Sequence, residues 1–115
     1  MAEQIPGNRD VVVAINDTLS VCGDRRVDVG RNLSSSVQSN QTIGVGKDLA
    51  VTVGKNLRIK ADDSLELVCG AASIVMKKDG TIIIKGKDIT IAGSGKVNIK
   101  ASGDLVLKGS KVSQN

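Results

Sequence analysis

The chain has 115 residues, a net charge of +4 and a pI near 9.3, and it contains no Phe, Tyr, Trp or His. That length bounds it to one domain or one segment. The missing aromatics remove the side chains that supply much of the area in an ordinary globular core, and the missing histidine removes the commonest general base and the commonest transition-metal ligand.

Residues 1–4 read as a disordered leader in front of a repeat already under way; no secretory signal and no membrane-length apolar run is present. From Ile5 onward the chain keeps a period of eight, clearest in Val45-Gly46-Lys47-Asp48-Leu49-Ala50-Val51-Thr52 and Val53-Gly54-Lys55-Asn56-Leu57-Arg58-Ile59-Lys60. A fixed period sets the architecture of whatever it covers. The seventh position of the unit runs Val11, Leu19, Val27, Ser35, Ile43, Val51, Ile59, Leu67, Val75, Ile83, Ile91, Ile99 and Leu107, apolar everywhere but Ser35. The fifth position is apolar at Leu33, Leu49, Leu57, Leu65, Ile89, Val97 and Leu105.

Fifth and seventh positions lie two apart, so in an extended chain they share a side, while the sixth and eighth, such as Arg58 and Lys60, face the other way. Gly, Lys, Asn and Asp at the second to fourth positions supply corner conformations. Each unit therefore predicts a strand of about five residues and a corner of about three. Apolar spacing of two and β-branched content exclude a helix over most of the chain.

Residues 5–19 obey the register with weaker fifth positions, Arg9 and Asp17. Residues 21–68 form the regular block. Its soft spot is 34–41, where Ser35 and Gln41 take inner columns; it reads as an under-packed turn, with a polar layer holding water or an ion as the alternative. Residues 69–85 depart from the pattern: Lys78-Asp79-Gly80 between two apolar runs is a hairpin signal. Two facings stay open there. The octad register points Val75 and Ile83 inward; a hairpin alternation points Ile74, Met76, Ile82 and Ile84 inward, and a shift of one residue reverses the buried face. The octad resumes over 86–108, and 109–115 reads as a polar tip.

The sequence offers little chemistry. Gly93-Ser94-Gly95-Lys96 approximates a phosphate loop, but Thr90 stands where the first glycine belongs and Val97 where Ser or Thr should hold magnesium. Asp62-Asp63 lacks calcium-loop spacing, and the Gly-rich calcium repeat has period nine rather than eight. The sequon Asn40-Gln41-Thr42 is incidental. Cys22 and Cys69 read as small residues rather than a disulfide framework. The basic residues spread along columns (Lys47, Lys55 and Lys87 at corners; Lys60, Lys100 and Lys108 facing outward), which suits a solvated face that blunts strand edges. Without stacking aromatics, nucleic-acid binding is not expected. No catalytic, cofactor or metal site is predicted, and the chain reads as non-enzymatic.

Val, Ile and Leu of similar size at equal intervals suit a narrow uniform tube. The predicted fold is all-β: an intertwined triple-stranded parallel β-helix, a triangular prism of octads over 5–108. Three copies each supply one wall per level, every unit climbs about 4.8 Å, and the whole reaches roughly 60 Å. The predicted core is Val27, Ile43, Leu49, Val51, Leu57, Ile59, Leu65, Leu67, Ile89, Ile91, Val97, Ile99, Leu105 and Leu107. Most of it would be buried only in the trimer, so a folded monomer should be unstable. A monomeric β-solenoid that binds a surface or polysaccharide is the competing architecture.

The Val-Gly-(Lys/Arg)-(Asp/Asn)-Leu motif at 29–33, 45–49 and 53–57 resembles the C-terminal region of the valine-glycine repeat proteins, VgrG, the spikes of bacterial type VI secretion; the later runs 74–85, 89–91 and 97–99 are similar to the end of that region. The needle of the cell-puncturing device of contractile-tailed phages looks similar, and a phage tail-spike fragment shares the expected fold. The resemblance implies a homotrimeric tip on a tail tube, assembled in the bacterial cytoplasm, driven out by sheath contraction and touching the target membrane transiently. It implies a C-terminal end, Lys108, Gly109, Ser110, Lys111 and Val112, that receives a PAAR-repeat cap or effector. The family's hub and oligonucleotide-fold domains are absent from these residues, which suggests an excised fragment, and the His-x-His iron site of some phage spikes has no counterpart.

Overall fold

The computed structural model describes residues 3–115. The leader expected over 1–4 falls partly on Met1 and Ala2, which lie outside them. The described residues contain no helix, and the regular structure is all β; no helix is long and apolar enough to cross a membrane.

The chain divides into two units, Met1–Leu49 and Ala50–Asn115. Along the first, extended segments are broken by bends at 6–7, 14–15, 22–23, 30–31, 38–39 and 46–47. The bends recur every eight residues, at the second and third positions of the sequence unit. Pro6-Gly7, Cys22-Gly23, Gly30-Arg31 and Gly46-Lys47 place a glycine at four of these six corners.

The second unit keeps this pattern at 54–55 and 62–63, then leaves it. Three strands follow: β1 (Ser64–Cys69), β2 (Ala72–Lys77) and β3 (Ile82–Lys85). They form one antiparallel sheet in the order β1-β2-β3. Bends return at 87–88, 94–95 and 102–103.

Two turns make the sheet. Cys69 pairs with Ala72, which leaves the two-residue loop Gly70-Ala71. Gly70 has φ of 55° and Ala71 is not in the positive region, the pattern of a II′ hairpin turn with glycine leading. The second turn is the Lys78-Asp79-Gly80 signal. The Gly80 N–H donates to the Lys77 carbonyl at 3.0 Å and the Lys77 N–H to the Thr81 carbonyl at 2.9 Å. Gly80 has φ of 93°, which only glycine adopts without strain. The Lys78 N–H donates to the Asp63 carbonyl at 3.0 Å, extending the β1–β2 ladder by one step.

The pairing settles which residues share a face. Leu65 lies opposite Met76, Leu67 opposite Ile74, Ile74 opposite Ile84, and Met76 opposite Ile82. Directly opposed residues point the same way, so one face carries Leu65, Leu67, Ile74, Met76, Ile82 and Ile84. The other carries Glu66, Val68, Ser73, Val75, Lys77, Ile83 and Lys85. The hairpins place Ile74, Met76, Ile82 and Ile84 on the face of the octad columns Leu65 and Leu67, with Val75 and Ile83 on the opposite face. The physical reason is the turn chemistry. Once Gly70 and Gly80 fix two hairpins, cross-strand register overrides the period of eight. The sheet also begins at Ser64, inside the stretch that reads as regular octads.

Asp79 ties the second turn. Its Oδ1 accepts the Thr81 N–H at 3.0 Å, an Asx-type bond to the main chain two residues on. This bond and a second from the Thr81 hydroxyl hold the carboxyl below the ordinary aspartate range. A carboxyl with a lowered folded-state pKa contributes stability that is complete above the unfolded value and lost as pH falls through the folded one. We predict that the Thr81 amide resonance titrates below the range of an unfolded aspartate, and that Asp79→Asn removes this titration. An unchanged Thr81 profile in the variant would refute the assignment.

Candidate functional site

Among the described residues, main-chain hydrogen bonds occur only within the three strands and at Asp63, Lys78, Gly80 and Thr81 beside them. Buried N–H and C=O groups are almost always paired in folded proteins. The octad segments therefore present two open edges each, which is the condition for pairing with other strands.

The apolar columns are open as well. No described residue is buried. Of the predicted core, Leu65 alone is half-buried; Val27, Ile43, Leu49, Val51, Leu57, Ile59, Leu67, Ile89, Ile91, Val97, Ile99, Leu105 and Leu107 are all exposed. The exposure is itself periodic. The first-position residues Ile5, Val13, Val21, Val29, Val37, Val45 and Val53 stay between 44% and 49% exposed, so equivalent side chains meet equivalent surroundings every eight residues. Total accessible surface is 12920 Å². A folded monomer of 11.9 kDa keeps about 6,000 Å², half that value. Single exposed apolar residues need no explanation, but contiguous apolar surface marks an interaction site.

The most shaped part of this surface lies in the second unit. An open apolar groove of about 500 Å³ runs from the sheet onto the octad that follows it, lined by Leu67, Ile74, Ile84 and Ile89 among others. A second hollow of about 210 Å³ is lined by Ile59, Leu65 and Met76 together with Lys60, Asp63 and Lys77. Apolar side chains thus line hollows on both sides of the sheet, toward the octad before it and the octad after it.

Polar features are sparse and exposed. Arg26 Nε lies 2.8 Å from Asp28 Oδ2, and Lys60 Nζ lies 3.9 Å from Asp62 Oδ1; exposed pairs of this kind contribute little. No group of three or more His, Cys, Asp or Glu that could hold a metal occurs among the described residues. Cys22 and Cys69 are free and exposed. The phosphate-loop approximation at 93–96 is one of the repeat's corners, with its bend at Ser94-Gly95. Ser35 and Gln41 are exposed, and the tip residues Lys108, Gly109, Ser110, Lys111 and Val112, from the end of the last octad onward, form no regular strand.

No family model matches the chain. Among curated proteins, a 35-residue stretch is 66% identical to the type VI secretion system spike protein VgrG1b of Pseudomonas aeruginosa. The chain is similar to the VgrG spike proteins. The matched stretch covers 30% of this chain and 5% of VgrG1b, so the chain spans a small part of that relative's length. The VgrG likeness read from the Val-Gly octads is thus matched by a curated VgrG sequence over 35 residues.

Adjacent residues on opposite faces of β1 test which surface associates. Leu67→Asp should abolish self-association of the chain in sedimentation velocity, whereas Glu66→Gln should leave it unchanged. Equal behaviour of the two would mean that the apolar face is not an interface.

Proposed function

We propose that the chain is a structural, non-enzymatic needle segment of a type VI secretion spike. Three copies wind in parallel into a triple-stranded β-helix. The observation that carries this reading is the coincidence of open main-chain edges with exposed apolar columns, repeated every eight residues. Each lack is the other's remedy: neighbouring copies pair the edges and, in doing so, bring the columns together on a common axis. The likeness to a type VI secretion spike protein supports the biological setting.

The work of such a segment is mechanical. Continuous interchain pairing around an apolar axis resists bending, so force applied along the axis is transmitted to the tip. The C-terminal end, from Lys108 to Val112, serves as the platform for a PAAR-type cap or an effector. The assembly forms in the bacterial cytoplasm and leaves by the secretion system, meeting a target membrane only in passing.

A monomeric solenoid is disfavoured by the same observation. A coil that closed on itself would bury its columns and pair its edges within one chain, and the octads here do neither. A phage tail-spike segment shares the proposed architecture and differs in context only.

Solution mass is the deciding measurement. Sedimentation equilibrium should give about 36 kDa, three times the 11.9 kDa chain, with folding and association in one concentration-dependent transition. A folded species at the single-chain mass overturns the reading. Val51→Asp or Ile59→Asp would place three like charges in one inner layer. An uncompensated buried charge costs about 3–5 kcal/mol, so either variant should fail to assemble. Unchanged melting of either would remove that column from the axis.

A further inference from the structure

The octads pose a problem that they do not themselves solve. Units 45–52 and 53–60 are near duplicates, so a copy displaced by eight residues offers its neighbours almost the same columns and corners. Register is weakly specified wherever a shifted pairing buries the same residues. Such a displacement forfeits one unit at each end and leaves an unpaired overhang that recruits further copies.

The block at 62–85 differs from the octads on each count that matters. It spans 24 residues, three whole units, so Ile59 before it and Ile91 after it hold the same position in the repeat. Its pairing is antiparallel and lies within one chain, so every copy makes the same sheet whatever its neighbours do. Its apolar face has no equivalent in the octads. That face is open at Leu67, Ile82 and Ile84, which are 56%, 64% and 59% exposed, and less so at Ile74, Met76 and the half-buried Leu65. The groove at Leu67, Ile74 and Ile84 runs on to Ile89, so the face is continuous with the columns proposed to meet on the axis.

We propose that this sheet sets the register of the assembly: its apolar face packs against the same sheet of neighbouring copies, which only chains at zero offset can bring together. The occupant of the face is a second copy of this chain because the face continues the columns that other copies cover, and because all copies carry their sheets at the same height only when unshifted. The proposal rests on the assembly reading above.

Cys22 supplies the probe, since it is exposed and free. Residues 62–85 are replaced by three copies of 54–61, which keeps length and phase and removes Cys69; the reference is the full chain with Cys69→Ser. Both carry a nitroxide on Cys22, and interlabel distances are read by pulsed and continuous-wave electron paramagnetic resonance beside sedimentation velocity. The reference should give one narrow distance and one discrete oligomer. The replaced chain should add distances displaced along the axis in steps of about 4.8 Å, with at least a tenfold rise in shifted species and a ladder of larger assemblies. An equally narrow distance and a single oligomer in the replaced chain would overturn the proposal, as would retained register while the face binds a different protein. A reference chain that is monomeric, with no interlabel distance, would instead sink the assembly reading itself. If the replaced chain does not assemble, Ile74→Thr with Ile84→Thr keeps the sheet and weakens its face; unshifted distances there would equally refute the lock.

Discussion

An extended segment of about five residues with a corner at each end cannot satisfy its own backbone. It is too short to fold back on itself and too frequently bent to pair with the unit beside it in the same chain. Its N–H and C=O groups therefore face water or another chain, and its apolar side chains share that fate. The octads of this protein sit in that condition from Ile5 to Ala61 and again after Gly86, with their columns exposed and no main-chain hydrogen bonds. The sheet at 64–85 is the exception. There Gly70 and Gly80 supply the positive φ that reverses the chain, and the pairing is met internally. One chain thus meets the requirement locally in the sheet and leaves it open along the octads.

How much of this is legible in the residues depends on the element. The corners are, because Gly, Lys, Asn and Asp recur at the second to fourth positions, and the bends fall on the second and third, or at 87–88 on the third and fourth. The inner columns of the octads are legible as a pattern of alternation. The reach of the antiparallel sheet is not. Leu65 and Leu67 occupy the fifth and seventh positions of an octad and also alternate as a hairpin strand would, so the same two residues fit both readings. Gly70 hides in a similar way: it stands at the second position, where glycine is the ordinary corner residue, and nothing distinguishes a corner from a reversal. The signal was the apolar residue after it. Ala71-Ala72 replaces the Lys-(Asp/Asn) that follows glycine in the regular corners, and a two-residue turn needs no solvated tip of that kind.

The facing of 73–85 was ambiguous for a different reason. Its runs, Ile74-Val75-Met76 and Ile82-Ile83-Ile84, are apolar on both faces, so alternation carries no information there. What decides is the company of each residue across the ladder. Val75 lies opposite Glu66 and Ile83, on a face that also holds Lys77 and Lys85. The long stems of such neighbours cover apolar surface while their charges stay in water, which accounts for Val75 and Ile83 being half-buried in a single chain. Ile74 and Met76 have apolar neighbours across the ladder and are 39% and 38% exposed. Leu65, on the same face, is half-buried, so exposure in a single chain does not separate the two faces of the sheet.

The absence of aromatic side chains fits the proposed three-fold assembly. In a round core, a large ring at one place is offset by small residues around it. In a repeat whose layers have one cross-section, a larger residue in one layer has no free volume to borrow, because the layers above and below are set by the same backbone step. Overpacking a dense interior costs about 1–3 kcal/mol, and under a three-fold assembly the cost recurs three times per layer. Val, Ile and Leu differ by a methylene at most, so they interchange between layers with little strain. The freedom to vary is then confined to the corners and the outward columns, where Lys, Arg, Asn, Asp and Ser alternate. Uniformity of this kind makes neighbouring units interchangeable. A monotonous repeat carries no internal mark of position, and the one stretch of this chain with a different apolar face is where such a mark can reside.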